Sequence, residues 1–245
     1  MGKRIALVTG AAKGIGKAIT ERLVAEDYLV IATDLDEKSE RKLVAEFGKE
    51  KILLAKADIS KEKTVALLFE KIMKKYGRLD VLVNNAGIIR DNIIWKMPAE
   101  DFDAVLKINL RGTWLMCREA AKLMKEQKSG RIINVASRAW LGNAGQSNYS
   151  ASKAGVVALT RVLALELGRY NVLVNAVAPG LIDTPLTQKL EKNVLQKLIE
   201  AQPTKTMGTP EDVANVVAFL SSEKTQFITG QTIYVDGGKS IGAGI

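Results

Sequence analysis

Short apolar or β-branched runs alternate with longer stretches of helical period from one end of the chain to the other. The runs at 5–8, 29–33, 52–57, 81–83, 131–135, 172–176 and 232–235 read as strands. Most are apolar at consecutive positions rather than at every second one, so each should be covered on both faces. Segments with apolar residues at i, i+3 and i+4 fill the intervals: 14–26, 38–47, 61–76, 99–110 running on toward 128, 147–170, 186–201 and 210–221. Pro98 and Pro210 stand where the first turn of a helix tolerates proline. The alternation predicts an α/β protein: a single-domain, Rossmann-type, doubly wound seven-stranded parallel sheet with helices on both faces.

No internal repeat, low-complexity tract or Pro/Gly/Ser-rich linker interrupts the pattern, so residues 1–245 are expected to form one domain. The least patterned stretch, 180–208, follows the carboxyl end of a predicted strand, where ligands bind in open α/β sheets. It is expected to act as a substrate or cofactor lid.

Composition narrows the chemistry. At 245 residues, 47% hydrophobic and 26% charged, the chain can bury one large core. It has no histidine and a single cysteine, which excludes Ser-His-Asp and Cys-His triads, His-ligated metals and an intramolecular disulfide. The expectation is a metal-free site built from Tyr, Lys, Ser, Asn or carboxylates. Lys and Arg number 36 against 27 Asp and Glu, a net charge of +9 that favours acidic partners. The charges are spread along amphipathic segments such as 37–49 and 61–75, with no like-charged block, so nucleic-acid binding is not expected. Thr9, Gly10 and Lys13 break the first apolar run too early for a signal peptide, and no run approaches the roughly 18 residues of a membrane span. With a lone Cys117 inside a helical pattern, expected to be a small buried apolar residue, a cytoplasmic location follows.

Two local patterns carry chemistry. Thr9-Gly10-Ala11-Ala12-Lys13-Gly14-Ile15-Gly16 follows the first strand and opens the first helix, where backbone N–H groups and a positive helix end can receive a pyrophosphate. Taken alone, it could equally be a tight strand-to-helix turn. Asp34 ends the second strand 18 residues after Gly16, about where a ribose 2'-hydroxyl needs an acceptor. A carboxylate there favours NAD(H), while the cation of Lys13 pulls toward the 2'-phosphate of NADP(H), which stays open. The second pattern is Tyr149-Ser150-Ala151-Ser152-Lys153, in which Tyr149 and Lys153 share a helix face at i and i+4. An ammonium beside a phenol lowers the phenol's pKa and equips it to exchange a proton with an alcohol or ketone.

With Asn84-Asn85-Ala86-Gly87 after the fourth strand, Asn109 in the next helical region, Ser137 after the fifth and Pro179-Gly180-Leu181-Ile182-Asp183-Thr184 after the sixth, the chain resembles the short-chain dehydrogenase/reductase family from Thr9 to Asp236-Gly237-Gly238. The resemblance implies a catalytic set of Ser137, Tyr149, Lys153 and Asn109. Ser137 would hydrogen-bond the substrate oxygen, and Tyr149 would be general acid in reduction. Lys153 would tune Tyr149 and grip the nicotinamide ribose, while Asn109 would hold a relay water. It also implies cofactor contacts from Gly10, Lys13, Gly14, Ile15 and Gly16 at the pyrophosphate, Asp34 at the ribose, Asp58 and Ile59 at the adenine end, and Asn85, Ala86 and Gly87 at the middle. Pro179 and Gly180 complete the set, with Ile182 and Thr184 fixing the carboxamide. Asn84 reads instead as a tie between strands.

Within the family, residues 85–91, 142–149 and 175–184 look most like the bacterial 3-oxoacyl-carrier-protein reductases. That implies reduction of a 3-oxoacyl thioester, on acyl-carrier protein or coenzyme A, by a homotetramer or homodimer. Arg131 matches a carrier-docking arginine of those enzymes, but Arg169 is displaced by one position, with Tyr170 in its place. Asp34 also departs from their usual NADPH preference, and Trp140 is bulkier than their residues beyond the serine. It narrows an acyl channel or packs in the core. These departures leave a second reading: an NAD-dependent dehydrogenase of a small secondary alcohol, polyol or sugar acid.

Overall fold

The computed structural model describes residues 3–36 and 43–241. Its strands are β1 (Arg4–Thr9), β2 (Tyr28–Thr33), β3 (Ile52–Leu54), β4 (Val81–Asn84), β5 (Gly130–Val135), β6 (Val172–Pro179) and β7 (Thr232–Val235). They form one sheet in the order β3-β2-β1-β4-β5-β6-β7. Every pairing is parallel, with Ala6 beside both Val30 and Val81, and Ile133 beside both Val83 and Asn175. The order reverses at β1 and β4, which is where such sheets open a crevice beyond their carboxyl ends.

Helices α1 (Gly14–Ala25), α2 (Glu62–Tyr76), α3 (Ala99–Leu106), α4 (Thr113–Gln127), α5 (Ser147–Leu167), α6 (Lys192–Glu200) and α7 (Pro210–Ser221) connect the strands. On one face Leu7, Ile31, Leu82 and Ile132 meet Val65, Leu68 and Phe69 of α2 and Leu115 and Met116 of α4. On the other, Val8, Val30, Val83 and Ile133 meet Ile19 and Leu23 of α1 and Val213 and Val217 of α7. Neighbouring residues of one strand therefore face opposite cores, which is why these strands are apolar at every position. The edge strand β7 is half-buried throughout, and β3 is buried only at Ile52. Cys117 is fully buried, and burial pushes its thiol up to about 12.

Four elements differ from the sequence pattern. β3 stops at Leu54, which pairs with Ala32, one residue short of the end of β2 at Thr33. β6 runs on to Pro179 because β7 pairs with it as far as Val235, and proline costs nothing at a strand's last residue. The helix expected from 99 toward 128 opens into a wide π turn at Lys107–Gly112 between α3 and α4. The segment 186–201 divides into a 3-10 turn, Thr187–Lys189, and α6, with Leu190 and Glu191 in extended conformations between them. Of the expected helix 38–47, residues 43–47 are helical and the remainder lies outside the described residues. Pro98 caps α3 from just outside, while Pro210 is the first residue of α7, behind a capping box made by Thr209 and Asp212.

Candidate active site

The carboxyl ends of β1, β4, β5 and β6 bring the predicted residues to one rim of the sheet. The glycine loop joins β1 to α1, whose amino end has neither a side-chain cap nor an acidic residue in its first turn. Its N–H groups are thereby left for an anion. Gly10 and Gly14 have φ of +62° and +53°. A Cβ on Gly10 would come within 2.9 Å of the Ala86 Cα, and one on Gly16 would overlap the Gly10 carbonyl oxygen. The Thr9 hydroxyl accepts from the N–H groups of Asn85 and Ala86, each at 3.0 Å, and the Asn85 amide donates to the carbonyls of Thr9 and Gly10 at 3.1 and 3.0 Å. Asn85 is thus a clasp between β4 and the loop. Asn84 ties β4 to β5 through Asn134 at 2.9 Å.

Asp34 leaves the end of β2 and accepts from the N–H groups of Ala12 (3.1 Å), Leu35 (2.7 Å) and Asp36 (3.1 Å). It fixes the glycine loop from the far side. Lys13 is exposed at the start of α1, and Ile15 packs partly against the core beneath it. Asp58 accepts from the Ser60 N–H and hydroxyl, and Lys61 lies 3.2 Å away. Burial raises its carboxyl, but these partners outweigh burial and hold it below its ordinary range. Ile59 is buried against the π turn, where a Cβ on Gly112 would come within 3.0 Å of it. Gly87 lies against the Asn109 amide.

The catalytic candidates surround the carboxyl end of β5. Ser137 follows that strand in extended conformation, and its Oγ accepts from the Ala139 N–H at 3.1 Å. Burial pushes the Tyr149 phenol up to about 12, a hydrogen bond with Ser137 pulls it back, and Asp91 pushes it further up. Lys153 is 4% exposed, and burial lowers its ammonium to about 8. Its Nζ donates to the Val135 carbonyl at 2.7 Å and stands 5.6 Å from the centre of the Tyr149 ring. The sequence expectation that Lys153 lowers the tyrosine's pKa therefore does not describe this state. Burial dominates both groups, and the ammonium is engaged with the strand.

Asn109 lies within the π turn, with its side chain committed on three sides. It accepts from the Ile88 N–H (2.8 Å) and donates to the Ile88 carbonyl (3.0 Å) and the Ser152 hydroxyl (3.2 Å). It joins the loop after β4 to α5. The sequence reading missed two polar groups just before Tyr149, of which Asn148 accepts from the Tyr149 N–H at 2.7 Å. Asn148, fully buried, donates to the Arg90 carbonyl at 2.8 Å, and Gln146 donates to Asp91 at 2.9 Å. Their polarity at the start of a helix was the available signal. Beyond β6, Gly180 donates to the Val235 carbonyl at 2.9 Å, and a Cβ there would come within 2.6 Å of Asp236. Pro179 is buried at the strand's end and Ile182 bridges to Gly208. Thr184 bonds to Thr187 and lies against Gly14, 3.7 Å from where its Cβ would be. The segment after β6 thus reaches across to the glycine loop.

Arg131 is 6% exposed near the amino end of β5, donating to the Gly130 and Thr225 carbonyls. Arg169 stacks on Tyr170 at 4.8 Å. Trp140 is half-buried and packs against the small cluster of Ala136, Val156, Val157, Ala176 and Ala178. Among the described residues, no group of three Cys, Asp or Glu side chains could hold a metal, and no helix is long and apolar enough to cross a membrane.

Comparison with known proteins agrees with this geometry. A family model described as enoyl-(acyl carrier protein) reductase matches residues 10–240. The (2S)-[(R)-hydroxy(phenyl)methyl]succinyl-CoA dehydrogenase subunit BbsD of Thauera aromatica is 44% identical over 98% of both chains. A 3-oxoacyl-[acyl-carrier-protein] reductase of Thermotoga maritima is 42% identical over 96% of this chain and 97% of that one. Among solved structures, a putative gluconate dehydrogenase from Agrobacterium tumefaciens superposes with a TM-score of 0.94 at 30% identity, covering 98% of this chain and 96% of that one. Levodione reductase superposes at 0.92 with 35% identity, over 98% of both. A glycine loop at the switch point of the sheet, a Ser-Tyr-Lys cluster on its rim and relatives that match along nearly the whole chain have one common explanation: the chain belongs to the short-chain dehydrogenase/reductase family, whose members oxidise CH–OH groups or reduce C=O groups.

Proposed function

We propose that the protein reduces a 3-oxoacyl thioester to the 3-hydroxyacyl form with a nicotinamide nucleotide. The observation that carries this reading is the near-full-length similarity to two enzymes whose names specify acyl thioesters. A nicotinamide nucleotide held at this rim would supply the hydride, so the protein's own share of the reduction is the proton that the ketone oxygen takes up. Tyr149 gives that proton, and burial keeps the phenol protonated at neutral pH, the form that reduction consumes. Ser137 donates a hydrogen bond to the developing alkoxide. Lys153, now on the Val135 carbonyl, would hold the nicotinamide ribose, and Asn109 would keep the π turn in place beside it.

The uncapped end of α1 suits a pyrophosphate, with Lys13, Gly14 and Ile15 around it. Asp34, already anchored to Ala12, would accept from a ribose 2'-hydroxyl and repel a 2'-phosphate, so NAD(H) is the preferred cofactor. Asp58 and Ile59 would border the adenine. Ala86, Gly87, Pro179, Gly180, Ile182 and Thr184 would line the remainder, with residues 180–208 as the lid. The buried Arg131 favours coenzyme A over a carrier protein as the thioester's carrier. A homotetramer or homodimer would form through the exposed face of α5.

Steady-state oxidation of NADH and NADPH with acetoacetyl-CoA, alongside Asp34→Ala, tests the proposal. A clear NADH preference that the variant erases supports it. Binding of both cofactors without turnover would turn the reading toward a dehydrogenase of a small alcohol or sugar acid, which the gluconate and levodione enzymes among the structural neighbours favour.

A further inference from the structure

β3 is an edge strand of the sheet, and on the face that carries α2 a cavity of about 710 Å³ opens between the strand side and the helix. That volume falls in the range of small-molecule sites, about 300–1,000 Å³. Ile31 of β2, Leu53 of β3 and Ala55 line it on the strand side, and Leu67, Leu68 and Ile72 line it from α2. Leu43, Val44 and Phe47 pack on the opposite face of the sheet, so the helical residues 43–47 do not cover it.

Charge distinguishes this cavity from a bare apolar groove. Lys71, Lys74 and Lys75 of α2 line it together with Lys56 beyond β3, and no acidic residue does. The three helix lysines are exposed and have no carboxylate partner among the described residues; Lys75 stands over the Tyr76 ring at 5.1 Å. The dipole of α2 accounts for Lys74 and Lys75 in its last turn, but not for Lys71 a turn earlier or for Lys56 on the strand side. Like charges at i, i+3 and i+4 repel one another, and an anion among them relieves that repulsion. Because the cations border the apolar floor directly, the charge and the chain of a ligand must adjoin. A long-chain carboxylate meets that condition, whereas the phosphates of an acyl-CoA stand a pantetheine arm away from its chain. A second copy of the protein fits poorly, since a two-fold contact would set the lysines against themselves.

We propose that this cavity binds the anion of a long-chain fatty acid, with the alkyl chain on Ile31, Leu53 and Leu67 and the carboxylate among Lys71, Lys74 and Lys75. The site is separate from the catalytic rim, with β2, β1 and β4 between β3 and β5, and the inference holds whether or not the substrate is a thioester.

Titration calorimetry of the full chain, below the micelle threshold, tests it. The probes are tetradecanoate, octanoate and tetradecyltrimethylammonium, which joins the longer chain to a cationic head. Tetradecanoate is expected to bind at a single site at least about tenfold more tightly than octanoate, since each buried methylene adds affinity, and the cation is expected not to bind. The double variant Lys71→Gln, Lys75→Gln should weaken tetradecanoate by about three- to tenfold, the range for two exposed charge pairs. Leu67→Glu, which puts a carboxylate in the floor, should abolish binding at unchanged melting temperature. If Leu67→Glu does not fold, the lysine pair, exposed to solvent, decides alone. Absence of saturable binding, equal binding of the cation, or binding that neither variant alters would each overturn the proposal, the last by placing the ligand elsewhere, the catalytic cleft included. Tighter binding of tetradecanoyl-CoA that Leu67→Glu removes would overturn the choice of a free acid. A smaller oligomer in Leu67→Glu, read by sedimentation velocity, would show that another copy covers this face, and the proposal would fall.

Discussion

Tyr149 holds its proton more tightly than a free phenol, and Lys153 holds its own more loosely than a free ammonium. Burial is the leading cause of both shifts. Replacing Tyr149 with Phe removes the proton donor and little packing, so turnover should fall about a hundredfold or more while cofactor affinity, read by fluorescence titration, stays near wild type. Lys153 makes a separate prediction about stability. Its folded pKa of about 8 lies below the unfolded value of 10.5, so between those limits the unfolded chain binds more protons and stability rises with pH. Tyr149 and Tyr28, both raised to about 12, act in the opposite sense above about pH 10, where unfolded phenols ionise first. The melting temperature of the cofactor-free protein should therefore gain on that of Lys153→Met from pH 8 to pH 10. Parallel curves would show that Lys153 stays a charged ammonium in the fold across that range.

At the scale of elements, the strands were legible because burial on both faces leaves an uninterrupted apolar run, and their starts fall within one residue of the pattern. Their ends were less so. β6 ends at Pro179 because its neighbour β7 ends opposite it at Val235, a fact of pairing that no local pattern records. The π turn was hidden for a related reason: Asn109 reaches Ile88 and Ser152, and Leu110 presses on Gly155, whose Cβ would come within 2.7 Å of it. Those contacts lie far away in the chain, while the apolar spacing from 99 to 127 runs through without a break. The site residues were legible in type and order, but their partners were not, as the Val135 carbonyl under Lys153 and the clasp of Thr9 on Asn85 show. The junction of loop and helix also sets a test. Gly16→Ala drives a methyl into the Gly10 carbonyl, so it should cost about 1–3 kcal/mol in denaturant unfolding and weaken nucleotide binding by displacing the loop. Unchanged stability would mean that the loop can slide relative to α1.

The whole molecule keeps chemistry and structural charge at opposite ends of its sheet. Near the amino ends, Asp80 accepts from the Ile5 N–H at 2.7 Å and pairs with Arg78, Arg4 lies over Tyr28 at 4.6 Å, and Arg131 is sealed beside Thr225. Along the outside, α5 presents an apolar stripe at Ala151, Ala158, Val162 and Leu165, the last 87% exposed. That spacing returns to one helix face every seven or eight residues, as a helix partner requires. Sedimentation velocity should show a dimer or tetramer that Leu165→Lys shifts toward monomer, while the melting temperature of the monomer stays unchanged because Leu165 is outside the core. A wild-type monomer at micromolar concentration would leave the stripe without a role.

Gly10 and Gly16 are glycines because the fold presses its own backbone against them, whereas Gly14 has room for a side chain and is held only by its φ. The three positions should therefore age differently in a lineage. A descendant that had lost its nucleotide would still inherit Gly10 and Gly16 for as long as it folded, and only position 14 would drift, first to asparagine, which tolerates that backbone. In such a lineage the outer pair of glycines persists with the packing of the loop, and position 14 keeps only residues that accept a left-handed backbone.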